Sequence, residues 1–208
     1  MMNVRALAVA LAAVLFAPVA APAAGAAGQP RLEKVVLAGG CFWGMEAVFE
    51  HLRGVRSAVV GYSGGSKLTA HYEIVSTGAT GHAESVELTF DPAQISYAKI
   101  LQVYFTVAHD PTELDRQGPD AGHQYRSEIY YTTDEQKKIA ETTIRDLEAR
   151  HVFPAPIVTK VEALRAFYPA EEYHQHYADL HPDNPYIVEV DEPKLVALRE
   201  KFPQLLKH

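Results

Sequence analysis

The sequence predicts an α+β fold, a two-layer sandwich in which helices pack on a mixed, mostly antiparallel sheet. From Arg31 onward, short segments rich in β-branched residues alternate with segments that have the periodicity of amphipathic helices. Neither an internal repeat nor a second linker interrupts residues 28–208. These residues are therefore expected to form one domain.

The individual elements follow from local patterns. Strands are predicted over residues 33–38, 55–62, 84–90, 127–131 and 157–162, where apolar residues alternate or β-branched residues cluster. Helices are predicted over 42–52 and 194–202, from a Ser96 cap to residue 108, and from a Thr133 cap to residue 150. Thr133 and Gln136 have the spacing of a capping box.

Composition excludes several classes of function. The 208 residues are 48% hydrophobic, which is enough for an ordinary core, and the net charge of −7 gives no general attraction to nucleic acid or anionic membranes. A single cysteine excludes an internal disulfide and any cysteine-based zinc cluster.

The first 27 residues have the pattern of a cleaved secretory signal peptide. A weakly positive start precedes an apolar stretch over residues 6–16 and a small-residue region over 18–27. The apolar stretch is short for a bilayer span, so no stable membrane insertion is expected after cleavage. We therefore expect export to a periplasm or to the medium. Exported cysteines usually come in pairs, so an unpaired one is a candidate reactive thiol.

The single cysteine, Cys41, lies in the run GGCFWG between a predicted strand and a predicted helix. A free cysteine is often a small buried apolar residue, and that interpretation competes here. The glycines and the helix start favour a nucleophile instead. Unpaired N–H groups and the helix dipole at that end lower a thiol pKa, and the thiolate is the reactive form.

Two long polar segments, residues 66–83 and 109–124, flank the strand that begins at Glu84, and long loops on a rigid scaffold commonly carry function. By period two, Glu84 shares a face with Val86 and Leu88. If that face is the core, burial raises the pKa of Glu84 and lets it donate a proton near neutrality. An exposed, solvated position at the strand start is the alternative. Arg126, after the second segment, is expected to form a structural ion pair.

Four separated motifs resemble those of the A-type peptide methionine sulfoxide reductase family. They are GCFWG at 40–44, GYSGG at 61–65, TGHAE at 80–84 and QYRS at 124–127. Their order and spacing agree, and the similarity runs from about residue 35 to residue 186. The resemblance implies repair of oxidative damage by reduction of the S epimer of methionine sulfoxide, free or in proteins. The sheet is then expected to be a ferredoxin-like core with long active-site loops.

The resemblance also implies a role for each matching residue. Cys41 attacks the sulfoxide sulfur and is left as a sulfenic acid, a reversible oxidation state. Glu84 matches the general acid, and Tyr72 and Tyr125 match the hydroxyl donors that hold the oxygen. Asp120 matches an auxiliary acid near the site.

Phe42 and Trp43 match the aromatic pocket that holds the substrate methyl group.

The resemblance implies no bound cofactor and no metal. The chain departs from many members because its tail, residues 184–191, carries no resolving cysteine, so it resembles the single-cysteine members. An external thiol must then reset Cys41: a thioredoxin-like or glutaredoxin-like protein, or a low-molecular-weight thiol. The other partners expected are oxidised proteins, and the enzyme is expected to be a monomer.

Two other functions compete with this interpretation. A cysteine hydrolase would need a histidine held against Cys41, with His82 as a candidate, and an oxyanion hole. A metal-binding module would use the run YHQHY at 173–177 and His181. However, His174 and His176 are two residues apart and do not face each other on a helix, which favours a polar helix end near the site.

Overall fold

The computed structural model describes residues 31–207, so the predicted leader, residues 1–27, lies outside the described residues. The strands are β1 (Glu33–Ala38), β2 (Val55–Ser63), β3 (Ala83–Phe90), β4 (Arg116–Gln117), β5 (Asp120–Ala121), β6 (Glu128–Tyr131), β7 (Lys160–Ala163) and β8 (Phe167–Pro169). The helices are α1 (Phe42–Glu50), α2 (Tyr72–Val75), α3 (Tyr97–Val103), α4 (Asp134–Ala149), α5 (Tyr177–Leu180) and α6 (Glu192–Lys201).

Six strands form one sheet in the order β7-β6-β1-β3-β2-β8. β6 and β7 are parallel, and the other neighbours are antiparallel. The predicted mixed, mostly antiparallel sheet is therefore confirmed. Strands β4 and β5 form a separate two-stranded hairpin.

The main core lies between one face of this sheet and the helices. Val35 and Leu37 of β1 and Val86 and Leu88 of β3 pack in one buried cluster with side chains of α1, α3 and α6. The opposite face carries a smaller cluster of Val36, Ala38, Ala83 and Tyr130. Glu84 lies two residues before Val86 on β3, so its side chain is on the face of the sheet that packs against the helices.

Helix caps form largely as the sequence predicts. The Ser96 hydroxyl accepts a hydrogen bond from the Lys99 N–H, and the Thr133 hydroxyl accepts one from the Gln136 N–H. The Gln136 side chain accepts from the Thr132 N–H rather than from that of Thr133. Only half of the capping box is present, because this side chain also donates to the Lys34 carbonyl and ties α4 to β1.

The two long polar segments, treated as loops from the sequence, both contain secondary structure. The first contains a 3₁₀ turn, Lys67–Thr69, followed by α2, and the second contains the β4–β5 hairpin and a 3₁₀ turn, His123–Tyr125. The Gln124 side chain donates to the Ser76 carbonyl and joins the two segments. Strand β8 was not predicted; it is three residues long and ends in a proline, as an edge strand tolerates.

None of the helices between residues 31 and 207 is both long and apolar enough to cross a lipid bilayer.

Candidate active site

Cys41 caps the N-terminus of α1, directly after β1, so the sheet and the helix both fix its position. Gly40 before it has φ +94°, and a Cβ there would lie 2.6 Å from the Gln117 side chain. Only glycine allows this turn to pack against the second polar segment. Cys41 is 8% exposed and lines a cavity of about 260 Å³ together with Gln117, Asp120, Tyr186, Glu189 and Lys194, among others.

The environment of Cys41 overturns one expectation. Burial raises the pKa of the thiol well above its ordinary value, and the carboxylates of Glu84 and Asp191 raise it further. The Trp43 backbone N–H and the Lys194 ammonium lower it, but by less. The prediction that the helix start makes Cys41 a thiolate is therefore wrong for the free site, because desolvation outweighs the helix terminus.

Glu84 is buried next to this thiol, which decides between the two positions that the sequence left open. Its side chain is on the core face, 2% exposed, and one carboxylate oxygen accepts a hydrogen bond from the Phe42 N–H at 3.0 Å. Burial raises the pKa of Glu84 to about 8, the Phe42 N–H opposes that rise, and the nearby Asp120 adds to it. At neutral pH the carboxyl group therefore holds a proton.

Tyr72, Tyr125 and Asp120 gather around the same point from both polar segments. Burial raises the pKa of Tyr72 and of Tyr125, and the charges of Glu84, Cys41 and Asp120 raise both further. Both hydroxyls thus stay protonated, and neither is hydrogen-bonded to another group within residues 31–207. The structure brings all five predicted catalytic residues together.

Phe42 and Trp43 follow Cys41 but occupy different environments. Phe42 is 1% exposed and packs against Tyr62 in the core. The half-buried Trp43 ring stacks on Tyr177 at 3.8 Å, and its Nε1–H donates to His174 Nδ1 at 3.2 Å. Neither of the two predicted pocket residues lines the Cys41 cavity directly, but the ring of Trp43, the more accessible of the two, meets the ring of Tyr186, which does, edge to face.

The sequence analysis missed three groups at this site. Tyr186 donates to Asp120 through its hydroxyl at 2.5 Å, and Asp191 pairs with Lys194 at 3.0 Å beside the cavity. Gly44, inside the first turn of α1, was a usable signal. Glycine is unfavourable within a helix, and a Cβ at Gly44 would overlap the Asp191 carboxylate.

Two of the histidines near the site form hydrogen bonds away from Cys41. His82 Nε2 donates to the Ser66 carbonyl, and the two ring nitrogens of His109 bond to the Tyr104 carbonyl and the Ser127 hydroxyl. No histidine is among the described residues that line the Cys41 cavity. A hydrolase would need one held against the thiol, so the geometry does not favour that function.

Known proteins match almost the whole described chain. The family described as peptide methionine sulfoxide reductase matches residues 33–206. Peptide methionine sulfoxide reductase MsrA 2 of Mesorhizobium japonicum is 54% identical over 85% of this chain and 90% of its own length. Peptide methionine sulfoxide reductase MsrA of Thermus thermophilus is 49% identical over 84% and 98%.

Solved structures agree in fold. Mxr1 from Saccharomyces cerevisiae in reduced form aligns with a TM-score of 0.69 at 31% identity, covering 74% of this chain and 87% of its own. Methionine sulfoxide reductase A of Corynebacterium diphtheriae aligns with a TM-score of 0.65 at 35% identity, covering 76% and 78%. The chain thus belongs to the A-type peptide methionine sulfoxide reductase family and reduces the S epimer of methionine sulfoxide.

Proposed function

We propose that Cys41 carries out this reduction as the attacking thiol, with Glu84 as the general acid. The observation that carries the proposal is a buried carboxyl group close enough to the thiol to raise its pKa, with no cationic partner among residues 31–207 and with its own pKa raised to about 8. A group of that kind is protonated at neutral pH yet acidic enough to give the proton up, which suits a general acid.

The step transfers one oxygen atom. Cys41 Sγ forms a bond to the sulfoxide sulfur while Glu84 protonates the sulfoxide oxygen, and the carboxylate left behind takes up the thiol proton. The hydroxyl group then moves from the substrate sulfur to Sγ: the sulfur–oxygen bond of the substrate breaks, and the bond between Sγ and the substrate sulfur breaks with its electron pair left on the methionine sulfur. The balance is thiol plus sulfoxide to sulfenic acid plus methionine, so Cys41 loses the two electrons that the substrate gains.

Hydroxyl donors hold the oxygen during this step. The hydroxyls of Tyr72 and Tyr125 have no hydrogen-bond partner among the residues that the structure describes, and donors already aimed at a developing charge cost no reorganisation when the bond breaks. Asp120 lies beside Glu84 as an auxiliary acid, and its carboxylate raises the pKa of Glu84. Trp43, with Phe42 behind it, supplies the apolar wall for the substrate methyl group.

Regeneration needs two external thiol groups, since the chain has one cysteine. The first displaces the hydroxyl of the sulfenic acid as water and forms a mixed disulfide, and the second releases the Cys41 thiol. A thioredoxin-like protein, a glutaredoxin-like protein or a low-molecular-weight thiol could supply them. We further propose that the enzyme is a monomer with a ferredoxin-like core, formed by strands β6-β1-β3-β2. Because of its leader, we place it in an exported compartment, repairing oxidised proteins.

A single turnover tests the chemistry. Reduced enzyme mixed with methionine sulfoxide and no reductant should release one methionine per chain. Intact mass should rise by about 16 Da, one oxygen atom, and dimedone should trap the product as an adduct at Cys41. The Cys41→Ser variant should release no methionine and form no adduct. An unchanged mass in the wild-type protein after methionine release would refute the sulfenic acid step.

A further inference from the structure

A second cluster of titratable groups lies on α1, outside the active site. Glu46 and Glu50 are one helical turn apart, and both face His176, which follows a 3₁₀ turn near the end of the fold. His176 Nδ1 lies 2.9 Å from a Glu50 carboxylate oxygen and 3.7 Å from Oε1 of Glu46. One ligand atom from each of the three residues lies within 4.8 Å of the others.

An unpartnered oxygen of Glu46 points into this cluster. Glu46 is 1% exposed, yet its Oε1 has no hydrogen-bond partner among the described residues, and neither does Oε1 of the half-buried Glu50. The other oxygen of Glu46 accepts from the His176 backbone N–H at 2.7 Å, which fixes the carboxylate in place. A buried carboxylate oxygen without a donor is costly unless a cation binds it.

We propose that Glu46, Glu50 and His176 bind one divalent transition-metal ion, with Zn²⁺ as the best fit. Zinc takes carboxylate oxygens and an imidazole nitrogen at about 2.0–2.2 Å, which places neighbouring ligands of a tetrahedron about 3.3 Å apart. The two distances from His176 Nδ1, 2.9 and 3.7 Å, lie on either side of that value. Softer thiolate ligands are not needed for a mixed nitrogen and oxygen site of this kind.

The negative charge of this cluster and its access to solvent both favour a bound metal ion. Two carboxylates close together in a buried setting repel each other, and the exposed Asp179 adds a further negative charge. A divalent cation would neutralise these charges. The His176 side chain is 59% exposed, so an ion can enter from solvent and keep a water molecule as its fourth ligand.

This site lies behind the wall of the active site. His176 stands between His174, which accepts the hydrogen bond from Trp43, and Tyr177, which stacks on the Trp43 ring. A metal ion at His176 would therefore tie this segment to α1, the helix that carries Cys41 at its start. The role of the ion is to hold the aromatic wall in position, away from the reacting atoms.

Zinc binding to untagged protein tests the proposal. Cys41→Ser serves as the parent, because a thiolate could itself bind zinc. Titration against a chelating dye should show one Zn²⁺ per chain, and zinc should raise the Tm of the parent by mass action. Adding His176→Asn or Glu50→Gln should weaken binding by more than the roughly 10- to 100-fold that loss of an outer-sphere partner costs, and should remove the Tm shift.

His151→Asn is the matched control, because His151 is exposed and, like His176, has a positive φ that asparagine tolerates. It should bind zinc as tightly as the parent. Two results would overturn the proposal: a parent that shows no saturable zinc binding, or His176→Asn and Glu50→Gln variants that bind zinc as the parent does. Glu50→Gln keeps the test independent of any folding defect at His176.

Discussion

Two buried carboxyl groups, Glu84 on β3 and Glu128 on β6, occupy opposite faces of the same sheet. Each is 2% exposed. Glu128 accepts hydrogen bonds from Arg126 Nε at 2.6 Å and from the Tyr130 hydroxyl at 2.7 Å. Within the described part of the chain, Glu84 accepts one hydrogen bond, from the Phe42 N–H, and has no cationic partner. Two equally buried carboxyl groups therefore suit different roles. The charge of Glu128 is balanced by Arg126, so this carboxylate stabilises the fold, whereas Glu84, with a single N–H donor, is suited to proton transfer.

The tyrosines of the two regions differ in the same way. The Tyr130 hydroxyl bonds to Glu128, to Arg126 and to the Ser63 carbonyl. The hydroxyls of Tyr72 and Tyr125 have no such partners within residues 31–207. Arg126 also donates to the Gly81 carbonyl, so the predicted structural ion pair is confirmed and links β6 to the first polar segment.

The largest predicted difference between the two carboxyl groups comes from replacing each glutamate with glutamine, which should lower the rate at one position and the stability at the other. Glu84→Gln keeps the shape and an acceptor for the Phe42 N–H but cannot give up a proton. We expect the rate of sulfoxide reduction with a dithiol to fall by roughly 10²-fold or more, with no loss of stability. Glu128→Gln leaves the Arg126 charge buried without its counterion, and should cost about 3–5 kcal/mol of unfolding free energy.

The two readouts are steady-state rate per folded molecule and denaturant unfolding. Glu128→Gln should keep a rate within a few-fold of wild type, whereas Glu84→Gln should not lower the unfolding midpoint. If Glu84→Gln lost stability and Glu128→Gln lost rate, the assignment of the two carboxyl groups would be reversed.

The hydroxyl comparison predicts the next largest effect. Tyr72→Phe and Tyr125→Phe should each lower kcat/KM for methionine sulfoxide by roughly 10- to 100-fold, since a hydrogen bond to a charged group contributes about 1.5–3 kcal/mol. Both variants should keep the wild-type Tm, because neither hydroxyl bonds to another of the residues that the structure describes. Tyr130→Phe, the matched control, should lower the Tm and leave kcat/KM nearly unchanged. A larger kinetic loss in Tyr130→Phe than in the other two would contradict the comparison.

The pH dependence of the rate should report the raised pKa of Glu84. The general acid must be protonated, so the rate should be constant below about pH 8 and fall above it. The fall should be about tenfold per pH unit for a single group. Single-turnover rates between pH 6 and 10 measure this, and they avoid the titration of the external thiol. Glu84→Gln should lack this decline; a decline that persists there would assign it to another group.

Local patterns explain what the sequence could predict. β-Branched residues and the GGC turn fixed the strand, the helix start and Cys41, and period two placed Glu84 on a face with Val86 and Leu88. The pKa of Cys41 depends on Asp191, about 150 positions later, and the position of Trp43 depends on His174. Such long-range contacts have no periodicity, so they could not be predicted. Gly44 was the one local sign that another segment approaches α1.

The last prediction concerns stability, and it follows from the proton that Glu84 holds in the folded protein. The folded protein holds the Glu84 proton up to about pH 8, whereas the unfolded chain loses it near 4.5. Folded molecules therefore bind more protons between these values, and the contribution of Glu84 to stability declines as pH rises through them. Glu84→Gln removes that decline, so its Tm should exceed that of wild type at pH 8 and approach it at pH 4.5. Each kcal/mol corresponds to about 2–4 °C in a chain of this size. Calorimetry at the two pH values measures the difference, and an equal Tm at pH 8 would mean that the free energy cost of burying this carboxylate is met elsewhere in the fold.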